Sequence, residues 1–113
     1  MKNTWLIAFL ILVVLISGCT GQKTEPQPST TDKVDIVGFE FDPATIAITK
    51  GTTVTWTNKD SAQHTVTEIK TNNGFSSETL NQGQTYTHTF NETGTFEYQC
   101  HLHPSMLGKV IVS

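Results

Sequence analysis

Four residues, three of them on one short run, carry the chemistry of this chain. Cys100-His101-Leu102-His103-Pro104-Ser105-Met106 places a thiol, two imidazoles and a thioether within seven positions. A buried lone cysteine is ordinarily inert. Beside imidazole and thioether, however, a thiolate completes a soft donor set suited to a transition metal. A further donor must come from elsewhere, and His64 is the candidate, because it follows the polar loop 58–63 and opens a strand. His64, Cys100 and His103 would form a trigonal His₂Cys site with Met106 as a weak axial sulfur, the type 1 copper arrangement. Zinc also accepts Cys and His, but it favours tetrahedral closure by harder donors, and Met suits it poorly. His101 is an alternative imidazole. Its neighbour position to Cys100 turns it to the opposite face of a strand, toward the surface.

These donors need a scaffold that brings residue 64 to residues 100–106. Alternating runs between turn signals supply one. Ile46 and Ile48 share a face in Thr45–Thr49, as do Val54 and Trp56 in Thr53–Thr57. Lys50-Gly51 turns the chain between them. Val34–Phe41, His64–Ile69, a weak segment Phe75–Leu80, Tyr86–Phe90, Thr95–Cys100 and Gly108–Val112 complete the set. In Thr95–Cys100, Cys100 has the parity of Phe96 and Tyr98, so its sulfur points inward at a strand end. His88 has the parity of Tyr86 and Phe90, and a partly buried imidazole without a metal role is expected there. Nineteen threonines after residue 18 favour strands over helices. Seven or eight short strands at this spacing predict an all-β, two-sheet antiparallel sandwich.

Length and charge narrow the function. At 113 residues the chain holds one small domain. It has no arginine and a net charge of −3, which argues against nucleic-acid binding. Lys2 precedes an apolar run of twelve residues, Trp5–Ile16. A bilayer-spanning helix needs roughly 20, whereas twelve suits the core of a signal peptide. The run ends in Ile16-Ser17-Gly18-Cys19. This resembles the lipobox of bacterial and archaeal lipoproteins, which implies cleavage before Cys19 and lipidation of its sulfur. An ordinary secretory signal or an uncleaved anchor would export the domain equally. The expected organisation is a signal peptide over 1–18, a lipidated Cys and flexible linker over 19–32, and the working domain over 33–113. Thr20–Asp32 has no large apolar residue and reaches at most ~45 Å. Cys19, so modified, cannot pair with Cys100, and the small domain has no disulfide to staple it.

From Val34 to Val112 the sequence is similar to the cupredoxins, closest to their plastocyanin, amicyanin and halocyanin group. Phe41-x-Pro43, Gly51-Thr52-Thr53-Val54-Thr55-Trp56-Thr57-Asn58 and His64-Thr65-Val66 carry the likeness, together with Gly94 to Val110. Cys-x₂-His-x₂-Met is the short loop of the amicyanin type; plastocyanins have two more residues between His and Met. His101-Leu102 departs from the amicyanin Thr-Pro. The resemblance implies a cupredoxin-like Greek-key β-sandwich of seven to eight strands, and a supporting contact beside the ligands from Thr65, whose side chain would reach the backbone of residue 101. It implies one copper ion cycling between Cu(I) and Cu(II), and electrons entering and leaving through an apolar patch of Leu102, His103 and Pro104. The function expected is outer-sphere electron carriage, with copper storage or delivery as the alternative, and no enzyme activity. A multicopper oxidase domain would need greater length and further His-x-His clusters. Expected partners are redox proteins, such as a cytochrome or a membrane respiratory complex, met by a monomer at the outer face of the cytoplasmic membrane.

Overall fold

The computed structural model describes residues 27–70 and 73–113. Among the described residues there is no helix, and eight strands form two four-stranded sheets. Cys19 and the leader lie outside the described residues.

The first sheet has the order β2-β1-β4-β6, from Glu40–Asp42, Lys33–Val37, Thr53–Asn58 and Thr85–Thr89. The second has the order β3-β8-β7-β5, from Thr45–Ile48, Leu107–Val112, Gly94–Gln99 and Thr67–Glu68. Strand alternation decides what is buried between them. Val34 and Ile36 of β1, Val54 and Trp56 of β4, Ile46 and Ile48 of β3, and Val110 and Val112 of β8 all point inward and are buried. Trp56 is central, with Tyr98 edge-on at 5.5 Å between ring centroids and Phe75 stacked at 6.0 Å.

The structure corrects the antiparallel expectation. β1 runs parallel to β4, with Val34 opposite Trp56, and β3 runs parallel to β8, with Ile46 opposite Val110. Alternation and turn signals report a strand's faces but not its partner. Crossing between two sheets lets strands distant in sequence lie parallel. Val34–Phe41 is likewise two strands, folded back at Gly38-Phe39 so that Val37 pairs with Glu40. The segments around His64 and Phe75 form little regular strand. They pair through isolated bridges, His64 with Leu80 and Thr67 with Ser76.

The described part of the expected linker is not free. Ser29 forms a parallel bridge to Ile46: its N–H donates to Thr45 O at 3.1 Å, and its carbonyl accepts from Ala47 N–H at 3.0 Å. Pairing with a sheet edge needs only backbone groups, so a segment without apolar side chains can still dock there. Among the described residues, sheet pairing therefore includes Ser29, four residues before the expected boundary at Lys33.

Candidate metal centre

β4 and β7 bring the donors together from opposite sheets. The inward parity of Val54 and Trp56 continues to Asn58, which is fully buried at the end of β4. A buried amide must be bonded, and the Asn58 side chain spends its donors on Ala62 O and Leu80 O, both at 2.8 Å. Its Oδ1 accepts from Asp60 N–H at 2.9 Å. These bonds shape the loop over 59–63 and deliver His64 into the interior, where it is fully buried.

β7 delivers Cys100 from the other sheet, one residue past Gln99 and fully buried. The chain then turns back on itself. His103 N–H donates to Cys100 O at 3.2 Å, Met106 N–H to His103 O at 2.9 Å, and Cys100 N–H to Met106 O at 3.1 Å. The loop is thus cinched by its own backbone before β8 leaves it. Met106 is buried at its end, 5% exposed.

His64 Nδ1 lies 3.6 Å and His103 Nδ1 3.7 Å from Cys100 Sγ. One ligand atom from each of the three residues falls within 4.8 Å of the others. Bond lengths of about 2.0 Å to imidazole and about 2.3 Å to thiolate, taken from zinc sites, would set nitrogen and sulfur about 3.7 Å apart around a trigonal centre. The spacing and the soft donor set therefore fit a copper ion.

The surroundings hold these donors in orientation. Thr65 N–H donates to Cys100 Sγ at 3.4 Å, and Thr65 Oγ1 accepts from His101 N–H at 2.7 Å. His101 itself is exposed and outside the donor cluster. Leu102 is 47% exposed, Pro104 is exposed, and His103 between them is half-buried. His88 sits remote from the cluster on β6, half-buried and packed on Phe75 at 4.8 Å. Burial lowers its pKa below 6.5, with Glu68 opposing.

Three residues escaped the sequence reading. Asn58 had a usable signal, because strand parity already turned a polar side chain into the core. Asp60 and Phe39 had none. Asp60 Oδ2 meets His64 Nε2 at 2.9 Å, and the same carboxylate accepts from Gly38 N–H at 2.8 Å and Phe39 N–H at 2.9 Å. Carboxylates commonly orient metal-ligating histidines in this way through the ring nitrogen that the metal does not use. The Phe39 N–H, more than any other group, holds the Asp60 carboxyl below its ordinary 3.8, against the opposing effect of burial.

The fold and the donor cluster together define a type 1 copper domain, and comparison with known proteins agrees. Residues 29–113 match the family described as copper binding proteins of the plastocyanin/azurin type. The chain is 33% identical over 111 residues to amicyanin-alpha of Methylorubrum extorquens, covering 95% of this chain and 92% of that protein. It is 40% identical over 80 residues to halocyanin of Natronomonas pharaonis, covering 66% of this chain and 49% of that protein. Among solved structures, a purple cupredoxin from Nitrosopumilus maritimus superposes with a TM-score of 0.67 at 35% identity, over 72% of this chain and 98% of that one. The chain belongs to the plastocyanin/azurin family of copper binding proteins, and that membership implies an electron-transfer copper protein.

Proposed function

We propose that this chain is a membrane-tethered carrier of single electrons, with copper held by His64, Cys100, His103 and Met106. The observation that carries the reading is the buried convergence of His64 Nδ1 and His103 Nδ1 on Cys100 Sγ, at 3.6 and 3.7 Å. Copper, when bound there, supplies a one-electron couple between Cu(I) and Cu(II). The protein's own task is to keep the donors still. Asp60 and Asn58 hold the His64 side, and the backbone bonds of the loop hold the Cys100, His103 and Met106 side. A cage fixed from both sides rearranges little when the charge at its centre changes. With three buried or half-buried donors and Met106 buried at the end of the same loop, little room is left for the open position that substrate chemistry requires.

Electrons would pass at the half-buried edge of His103, framed by Leu102 and Pro104. Weak, small contacts suit redox encounters, and the partner would be a cytochrome or a membrane respiratory complex. The leader over 1–18 would be removed and Cys19 lipidated, placing the domain on the outer face of the cytoplasmic membrane. From Cys19 to Ser29 the chain spans at most ~35 Å, which keeps the domain near the membrane surface.

Adding Cu(II) to the purified chain should give an intense visible absorption that ascorbate bleaches. Cys100→Ser should lose the colour while keeping the sandwich; a colour that survived the substitution would refute the site. Storage or delivery of copper would show instead as ready loss of Cu(I) to a chelator. Cys19→Ala should move the protein from the membrane to the soluble fraction, and an unchanged distribution would refute the tether.

A further inference from the structure

The turn between β1 and β2 is a two-residue hairpin loop, Gly38-Phe39, closed by the Val37–Glu40 pair. Both loop residues have positive φ, 61° for Gly38 and 58° for Phe39. Two-residue hairpin turns of this hand favour Asn or Gly at such positions, because a bulky side chain in the left-handed region is strained. Nothing in the hairpin itself calls for an aromatic residue. A Phe in the strained position, 51% exposed to water, is therefore an outlier that asks for another cause.

The cause lies across the loop. The Phe39 ring stands edge-on to His64, with centroids 5.2 Å apart and planes at 85°, and edge-on to His103 at 5.1 Å and 86°. The two imidazoles are themselves 5.1 Å apart, so the three rings form a closed triangle. Phe39 also lines a surface cleft with Met106. Its backbone is hooked in place by the Asp60 carboxylate, which binds Gly38 and Phe39 through their N–H groups and His64 through Nε2. The strained turn and the His64 ring thus share one anchor.

We propose that Phe39 is a positioning residue for the His64–His103 pair. Its ring fixes the planes of both imidazoles and keeps water from the edge they share, and the turn retains its strain for that purpose. The inference rests on reading these histidines as copper ligands, and it assigns a role to a residue in a different part of the chain. The direction of its effect follows from charge. An apolar cover excludes water, which solvates the more charged Cu(II) state better than Cu(I). Uncovering the site therefore favours Cu(II) and lowers the reduction potential.

Phe39→Gly isolates this role, because glycine adopts the observed φ without strain. Relief of strain and loss of the ring contacts oppose one another in the metal-free variant, while the loaded variant should be impaired. Edge-to-face contacts of this kind correspond to about threefold to tenfold in an equilibrium. We expect copper loss to a chelator to quicken by about that factor, and the ratio of Cu(II) to Cu(I) affinity to rise, read as a lower potential. In the metal-free protein, proton NMR should show the ring protons of both His64 and His103 losing the shift that Phe39 imposes. Phe39→Tyr, which keeps the ring, should restore all three readouts. An unchanged potential, unmoved histidine resonances, or no rescue by Tyr would each overturn the proposal. A parent that develops no visible absorption with Cu(II) would instead overturn the copper reading beneath it.

Discussion

Gly108, the second residue of β8, lies directly opposite Tyr98 of β7, and no room is left there for a side chain. A Cβ placed there would lie 2.5 Å from Tyr98 Cε2 and closer still to its Cζ and hydroxyl oxygen. Ordinary carbon contacts are about 3.5–4.0 Å, so the ring would have to withdraw by about 1 Å or more. It has nowhere to go. Tyr98 is fully buried, with Phe41 at 4.7 Å on one side and Trp56 at 5.5 Å on another. Overpacking of a well-filled core costs about 1–3 kcal/mol, and a boxed-in ring places Gly108→Ala at about 3 kcal/mol. For a domain of this size that lowers Tm by roughly 12–24 °C. The same displacement would act on the metal loop, because Cys100 follows Tyr98 by two residues and β8 begins where the loop ends. Thermal unfolding of metal-free parent, Gly108→Ala, Tyr98→Leu and the double variant measures the coupling. Leucine lacks the outer ring atoms, so the double variant should be more stable than the two separate costs would sum to. Tyr98→Phe keeps Cζ and Cε2 and should give no relief. A Gly108→Ala protein within about 0.5 kcal/mol of the parent, the ordinary scatter of surface substitutions, would refute the argument.

Thr65→Val keeps the side-chain volume and the backbone N–H that meets Cys100 Sγ, but removes the acceptor for His101 N–H. It should cost about 1–2 kcal/mol in denaturant unfolding, leave the visible absorption in place and quicken copper loss. His88 has a folded pKa below 6.5 because burial disfavours its charge. Its stabilising contribution is complete above pH 6.5 and declines as pH falls from there toward the folded value, since only the unfolded chain takes up the proton. His88→Phe should flatten unfolding free energy against pH in that window in the metal-free protein. Asp60 has a folded pKa below 3.8, so its contribution is complete above pH 3.8 and is lost as pH falls through the lower folded value. Asp60→Ala should cost about 1–3 kcal/mol near neutrality and weaken the acid dependence of stability below about pH 4.

The donor loop was legible because its residues are neighbours in sequence. A strand of period two aims Cys100 inward whatever its partner, and His103 and Met106 follow within a single turn. His64 was legible only as a residue of the right type after a polar loop. Asn58 could have been read the same way as Cys100, since Val54, Trp56 and Asn58 share one face. Strand pairing was not legible, because alternation is the same for parallel and antiparallel neighbours; β1 beside β4 and β3 beside β8 show the consequence. Ser29 was misplaced for a related reason, since its docking uses backbone groups common to all residues.

The sequence by itself determined the donor types, their spacing on the loop, the all-β class and the apolar face of each strand, because each depends on residues close together in the chain. The tertiary structure decided which distant groups stand around those donors. Asp60 reaches back 21 residues to Phe39 N–H, and Thr65 reaches forward 36 residues to His101 N–H. Phe39 lies against two histidines from separate loops. No local pattern encodes such contacts, because they exist only once both sheets have closed and brought the loops to one end of the sandwich.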